Sequence, residues 1–152
     1  ESDKRGHEYA MPLTYTENKF YVPENIYIIG TMNTADRSIA ILDYALRRRF
    51  CFVDIEPAYN NNNFKGYLEK KSGELSKTII NKITGLNKAI ENDVSLGRGF
   101  CIGHSYFCSE KDTITEEDYR NIVKYEILPL LSEYWFDDYD KVMEWKKELL
   151  EW

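Results

Sequence analysis

The chain has 152 residues, of which 43% are hydrophobic and 30% charged, and its formal net charge is −6. This is the composition of a folded globular protein and excludes a disordered chain, and the negative charge argues against a surface that wraps nucleic acid, since phosphate binding depends on clustered Lys and Arg. Without a membrane-length apolar run, a signal-peptide pattern or a CxxC pair, the chain is expected to be cytoplasmic with reduced thiols.

The first residues predict a hairpin. Segments 9–15 and 19–22 have the composition of strands, and the residues between them, 16–18, form a plausible turn. Pro23 then breaks the chain before the next element.

Residues 26–55 predict a βαβ unit. The nearly continuous apolar run 26–32 is typical of a strand buried on both faces, as in a parallel sheet. A helix is predicted over 39–48 and a second strand over 50–55. Strand, helix and strand within about thirty residues are the building block of a parallel α/β sheet.

After Pro57 the pattern becomes helical. Residues 60–63 resemble a polar linker, and apolar residues then recur at helical spacing over 74–92, 116–135 and 139–152. Pro129 is expected to kink the second of these helices, because proline removes a backbone donor. We therefore predict an α/β portion at residues 1–57 and a small helical bundle at residues 58–152.

Polar side chains directly follow the predicted strand 26–32. The amide of Asn33 can hold a water or a phosphate oxygen, and Asp36 can accept hydrogen bonds from a metal-bound water or an arginine. Residues of these types also satisfy turns and helix N-termini, and this structural interpretation stays open.

Three consecutive arginines, Arg47, Arg48 and Arg49, end the predicted helix. They point in different directions on a helix and so cannot all serve one ligand. Two interpretations remain: favourable contact with the helix C-terminal dipole, or one or two side chains that reach a nucleotide on a neighbouring subunit.

A glycine-punctuated loop at residues 96–107 contains Arg98 and His104. Its glycines permit close approach of the backbone to a ligand, but we expect His104 to be a satisfied structural residue. Cys101, His104 and Cys108 lack a fourth ligand, and we expect no metal site. No G-x-x-x-x-G-K-[ST] loop occurs in the sequence, so a phosphate-transferring site cannot be complete within it.

The sequence resembles the McrB-type AAA+ GTPases in three features: the motif MNTADRS at 32–38, the apolar run before it and the arginine block. These are the motor subunits of restriction systems that cut DNA containing methylated cytosine. The loop 97–107 and segments 127–131 and 133–138 resemble the lid of that family, so the resemblance covers nearly the whole chain. It implies an α/β fold class: the last strands of a P-loop AAA+ α/β domain, followed by an all-α helical lid subdomain.

The resemblance also implies roles for individual residues. Asn33 would be the sensor beside the γ-phosphate and the attacking water, and Arg48 and Arg49 would be fingers acting in trans. The remaining implied roles are cofactor binding by Asn33, Thr34, Ala35 and Asp36, subunit contact by Arg37, Asp43 and Arg47, and a possible second sensor in the lid at Arg98.

The same resemblance implies GTP and Mg²⁺ as cofactors, both bound mainly by parts of a longer parent. That parent would form a homo-oligomeric ring, associate with a McrC-like nuclease subunit, reach DNA through a further domain and have no membrane contact. The present sequence lacks the Walker A and Walker B motifs and is expected to be inactive alone. Two alternatives remain: an AAA+ ATPase of the MoxR or dynein-like kind that remodels proteins, and an interaction module that docks a partner through Trp145 and Trp152.

Overall fold

The computed structural model describes residues 4–16, 18–33 and 44–151. It divides into two compact units, Glu1–Asp54 and Ile55–Trp152, which we call the N-terminal unit and the helical unit.

The N-terminal unit contains a short hairpin. Strands β1 (Met11–Pro12) and β2 (Lys19–Phe20) pair antiparallel, with Met11 opposite Phe20. The predicted hairpin is therefore present but shorter than expected. Pro12 has no backbone N–H to donate, which limits the ladder at this point.

The two strands predicted at 26–32 and 50–55 are not formed. Both segments have irregular backbone and exposed side chains, with Tyr27 at 89% and Ile29 at 93% exposure. A strand needs a neighbour to satisfy its N–H and C=O groups, and in the described part of the chain β1 and β2 are the only paired strands. The predicted parallel sheet is thus not confirmed in the described residues.

The helix predicted over 39–48 is described only in part. Helix α1 spans Tyr44–Arg47, and residues 39–43 lie outside the described residues.

The helical unit is built from five further helices and short 3-10 turns. The helices are α2 (Asn62–Ser72), α3 (Leu75–Glu91), α4 (Glu116–Ile122), α5 (Leu128–Tyr134) and α6 (Tyr139–Leu150). The 3-10 turns are Ala58–Asn60, Arg98–Phe100 and His104–Phe107.

Helix α2 begins within the polar run 60–63 that was predicted to be a linker. The side chain of Asn61 accepts a hydrogen bond from the backbone N–H of Asn63 at 2.8 Å and so caps the helix N-terminus. Phe64 and Leu68 are buried one turn apart on its inner face. The polar run is therefore a helix start, and the linker prediction was wrong because asparagine serves both caps and loops.

Helix α3 is the centre of the bundle, and its predicted boundaries are confirmed to within one residue at each end. Of the apolar residues that recur at helical spacing in this segment, Ile80 is partly buried, and the other four are fully buried: Ile79, Ile83, Leu86 and Ile90. These side chains form one core with the buried faces of the other helices, so the unit has a single hydrophobic interior.

The second predicted helix, 116–135, is interrupted where proline was expected to disturb it. Between α4 and α5 the backbone widens into a π-helical turn, Val123–Ile127, and Pro129 lies in the first turn of α5. The π turn accommodates the ring and the missing donor of Pro129 while Val123 and Ile127 stay buried.

Helix α6 closes the bundle, and its C-terminal carbonyls are held by its neighbours. Tyr119 Oη donates to the Leu149 carbonyl at 3.0 Å, and Arg120 Nη1 donates to that of Leu150 at 3.0 Å. Lys82 Nζ donates to the Glu148 carbonyl at 2.7 Å. Among the described helices, none is long and apolar enough to cross a membrane.

Candidate functional site

Four of the predicted nucleotide-handling residues of the N-terminal unit are described, and all are exposed: Asn33, Arg47, Arg48 and Arg49. Asn33 lies in the irregular segment after β2. Thr34, Ala35, Asp36, Arg37 and Asp43 lie outside the described residues, so their predicted roles stay predictions.

The arginine block forms an exposed turn after α1. Arg47 is the last residue of the helix, and its guanidinium carbon lies 6.0 Å from the centroid of the Phe52 ring. Arg48 and Arg49 follow in the turn. This places the Arg47 cation beside an aromatic ring on the exposed surface of the N-terminal unit.

Arg98 lies in the helical unit and is held by two carboxylates. Its Nε donates to Glu91 Oε1 at 2.6 Å, and its Nη1 donates to Glu56 Oε1 at 3.4 Å. The hydrogen bond to Glu91 and the charges of both glutamates raise the pKa of Arg98 further. The guanidinium is therefore permanently charged, oriented and still exposed.

Gly97 makes this placement possible. Its φ of 93° is in a region that residues with a Cβ rarely adopt. The turn lets the chain leave the end of α3 and bring Arg98 back beside Glu91, the last residue of that helix.

Asn87 fixes the loop that follows Arg98. Its Nδ2 donates to the Ile102 carbonyl at 3.0 Å, and its Oδ1 accepts from the Ile102 backbone N–H at 2.7 Å. Because one side-chain amide satisfies both backbone groups of Ile102, the loop is tied to the C-terminal part of α3.

The same loop is also tied to the first residues of the helical unit. The backbone N–H of Ala58 donates to His104 Nδ1 at 3.1 Å, and Tyr59 Oη donates to the Gly103 carbonyl at 2.8 Å. Nδ1 acts as an acceptor, so the neutral ring carries its proton on Nε2. The structure agrees with the prediction that His104 is a satisfied structural residue.

The described cysteines near this loop give no indication of a reactive thiol or a metal site. Burial raises the pKa of the Cys101 thiol, and the nearby Glu91 carboxylate acts in the same direction, which keeps it protonated. Among the residues that the structure describes, no group of three His, Cys, Asp or Glu side chains is placed to hold a metal ion.

Asp93 is a second organising residue of the unit. Its Oδ2 accepts from Lys141 Nζ at 2.6 Å and from Trp135 Nε1 at 2.9 Å, and its Oδ1 accepts from the Ser95 backbone N–H at 2.9 Å. One carboxylate thus fastens the chain just after α3 to the end of α5 and the first turn of α6.

Sequence reasoning missed the positioning roles of Glu56, Asn87 and Asp93. Asn87 is half-buried and follows the buried Leu86 directly, which is a weak signal for a positioning amide. Nothing local indicates that Glu56 pairs with Arg98 or that Asp93 binds Trp135 and Lys141, since these residues are distant in sequence.

Comparisons with known proteins place these features in a family context. Residues 78–143 match the family described as McrB, alpha-helical lid domain. Over 159 aligned residues the chain is 50% identical to the "Type IV methyl-directed restriction enzyme EcoKMcrB subunit" of Escherichia coli strain K12. The match covers 99% of this chain and 35% of that protein, so the chain spans about a third of the length of this relative.

Proposed function

This chain belongs to the McrB family, whose lid domain its residues 78–143 match, and we propose from that premise that it is part of a GTP-hydrolysing AAA+ motor. In this proposal the motor powers restriction of DNA that contains modified cytosine. The observation that carries the proposal is 50% identity, sustained over 99% of the chain, to a methyl-directed restriction enzyme subunit. Identity sustained over both units supports a shared role in such a system.

The exposed apolar side chains of the N-terminal unit support an α/β core completed by other parts of a longer protein. Tyr27 and Ile29 would each bury a large apolar surface in a sheet, at about 25 cal/mol per Å². We propose that segments 26–32 and 50–55 become strands once neighbouring strands satisfy their backbone groups.

The proposed nucleotide site lies between copies of the motor. Asn33 would position the attacking water, and Arg48 and Arg49 would stabilise the charge that develops on a neighbour's γ-phosphate. The exposure of Arg48 and Arg49 supports such a role, because a residue acting in trans must be accessible. GTP and Mg²⁺ would be held mainly by a phosphate-binding loop elsewhere in the parent, and this chain alone would be inactive.

The proposed lid sensor is Arg98. Its carboxylate partners, Glu91 and Glu56, hold the guanidinium in a defined place in the absence of nucleotide. A triphosphate oxygen would replace a carboxylate oxygen as the acceptor, since both are anionic and match the guanidinium fork.

The proposed partners follow from the same premise. The parent would assemble into a homo-oligomeric ring, recruit a McrC-like nuclease subunit and reach DNA through a domain outside this sequence. The alternative of an interaction module receives no support from the last helix, because Trp145 packs against the core of the bundle. Trp152 lies outside the described residues.

The test is phosphate release by the intact parent with its nuclease partner, using GTP and ATP in parallel. We expect GTP hydrolysis, with a loss of about 100-fold in the separate Asn33→Ala and Arg48→Ala variants. Lys124→Ala, an exposed lid residue outside the proposed site, is the matched control and keeps the wild-type rate.

Two outcomes would contradict the proposal. Unchanged rates in both variants would remove the roles of Asn33 and Arg48. Hydrolysis of ATP rather than GTP, without cleavage of methylated DNA, would favour the protein-remodelling ATPase instead.

A further inference from the structure

The first residues of the helical unit lie against the loop that carries Arg98. We call residues 56–59 the entry segment and residues 98–104 the Arg98 loop. Three contacts join them, each between one residue of the entry segment and one of the loop: Glu56 with Arg98, Ala58 with His104, and Tyr59 with Gly103. The first contact lies at the start of the loop and the other two lie at its end, so the entry segment is held at both ends of the loop.

The contact between Glu56 and Arg98 is the one that a ligand can replace. The atoms Arg98 Nη1 and Glu56 Oε1 are 3.4 Å apart, and the two side chains are 76% and 73% exposed. An exposed ion pair contributes little stability, because water and salt screen it. Arg98 also has a shorter bond, from Nε to Glu91 Oε1 at 2.6 Å. An anionic oxygen can therefore take the place of Glu56 while Glu91 keeps the guanidinium oriented.

The two contacts at the end of the loop are uncharged and better shielded from water. Tyr59 is 3% exposed, and its hydroxyl donates to the Gly103 carbonyl at 2.8 Å. His104 is half-buried, and its ring packs edge-on against that of Phe64, with 5.2 Å between the centroids. Neither contact involves a cation for which an anion could compete, so both persist when Arg98 changes its acceptor.

The bond to His104 determines where the Glu56 carboxylate lies. Only Pro57 separates Glu56 from Ala58, whose backbone N–H donates to His104 Nδ1 at 3.1 Å. The ring of Pro57 fixes its φ, here −55°, and favours extended backbone at the residue before it. A carboxylate on such a short tether has a high effective concentration at its partner. His104 therefore acts on Arg98 through Glu56.

We propose that Glu56 is a built-in competitor of the triphosphate at Arg98, and that His104 is the positioning residue that holds it there. In the nucleotide-free lid, the Glu56 carboxylate occupies the place on Arg98 Nη1 that a phosphate oxygen takes on binding. The triphosphate has to displace this anion, and its apparent affinity is reduced accordingly. This proposal rests on the proposed function, because it describes regulation of the lid sensor.

The experiment measures equilibrium binding of GTP and of ATP to the intact parent, and the variants are compared with whichever nucleotide binds. Glu56→Gln removes the competing charge, and we expect Kd to fall by about threefold, as for the loss of an exposed ion pair. His104→Leu keeps an apolar side chain against Phe64 but offers no acceptor to the Ala58 N–H, and it should lower Kd to a similar extent. Because His104→Leu removes no carboxylate, a general change of charge would not explain its effect.

A second substitution of His104 separates positioning from packing. In His104→Asn the side-chain oxygen is bonded to Cγ, as Nδ1 is, and can accept from the Ala58 N–H, whereas the ring contact with Phe64 is lost. Both variants should be less stable than the wild type in urea, but only His104→Leu should change Kd. Hydrogen exchange at the Ala58 amide should be fast in His104→Leu and slow in His104→Asn.

Double variants test whether these effects share one route. Adding His104→Leu to Glu56→Gln should cause no further fall in Kd, because the competitor is already absent. In the Arg98→Ala background, Glu56→Gln should leave Kd unchanged. The matched control is Glu117→Gln, which removes an exposed carboxylate of α4 outside these contacts and should keep the wild-type Kd.

Three outcomes would overturn the proposal: a wild-type Kd in His104→Leu, an equal change of Kd in His104→Asn, or additive effects in the double variant. A parent that binds a triphosphate with the expected variant effects but hydrolyses no GTP would contradict the proposed function and leave the competitor in place. Binding of neither nucleotide would overturn both.

Discussion

Asp93 Oδ2 lies 2.6 Å from Lys141 Nζ, and this ion pair joins the chain after α3 to the first turns of α6. The Lys141 ammonium also lies 4.4 Å from the centroid of the Trp135 ring. The hydrogen bond from Lys141, with those from Ser95 and Trp135, holds the pKa of Asp93 well below its usual range. The carboxylate is therefore bound in its charged form.

The depressed pKa of Asp93 predicts acid sensitivity of the helical unit. A carboxyl group with a lower pKa in the folded state contributes stability that is present above the unfolded pKa, about 4, and is lost as the pH falls below it. We expect the free energy of unfolding in urea to decrease from pH 6 to pH 3. In Asp93→Asn this decrease should be smaller, and at pH 6 the variant should be less stable by about 2 kcal/mol.

The matched control for Asp93 is Asp112→Asn, since Asp112 is an exposed loop residue. It should unfold like the wild type at every pH. An acid transition that is identical in wild type and Asp93→Asn would show that other carboxylates dominate it.

Asn87 provides a test of how the loop after Arg98 is held. Asn87→Ala leaves the N–H and C=O of Ile102 without their partners, and we expect a loss of about 2 kcal/mol with faster hydrogen exchange at Ile102. Asn87→Asp keeps the acceptor for the Ile102 N–H and loses the donor to its carbonyl. Exchange at Ile102 should therefore stay slower in Asn87→Asp than in Asn87→Ala, and equal rates in the two variants would contradict the assigned geometry.

Tyr59 predicts a response to alkaline pH. Its hydroxyl donates to the Gly103 carbonyl, and burial raises its pKa far above that of a free tyrosine. Stability from a raised pKa is present below the unfolded value, about 10, and is lost as the pH rises above it. Burial also raises the pKa of Tyr119 and of Tyr134. We therefore expect ultraviolet absorbance to show delayed ionisation of several tyrosines until the chain unfolds, and Tyr59→Phe to lower the amplitude of that phase by one tyrosine at a cost of about 1 kcal/mol at neutral pH. An unchanged amplitude in Tyr59→Phe would show that Tyr59 does not contribute to the delayed phase.

The helices of the lid were largely predictable because each is governed by local sequence. The stripe Ile79, Ile83, Leu86 and Ile90 fixes the buried face of α3 whatever surrounds it, and the cap signal of Thr115 with Asp118 starts α4 in the expected place. Helix α2 was missed because its N-cap, Asn61, stands in a run of asparagines that also suits a loop.

The predicted strands, unlike the helices, are not governed by local sequence alone. Their apolar pattern specifies burial, but a strand is completed only by hydrogen bonds from a neighbour, which no local pattern supplies. For the same reason the partners of Arg98 could not be predicted: Glu56 is 42 residues away in sequence. The charged residues of the candidate site could therefore be recognised from the sequence. Which of them form ion pairs could not, because the fold decides that.

Arg98 and its two carboxylates allow the lid sensor proposal to be tested in the intact parent. In the proposed function Arg98→Ala removes a cation that would contact the triphosphate, and we expect about a tenfold rise in KM for GTP together with a fall in kcat. Glu56→Gln keeps the side-chain shape but removes a charge that competes with phosphate for the guanidinium, so KM should fall by a few-fold while kcat stays near the wild-type value.

Lys88→Ala, an exposed cation on α3, is the control for a general change of charge and should leave both constants unchanged. A fall in stability of Arg98→Ala without any change in KM would show that Arg98 serves only to join Glu91 and Glu56.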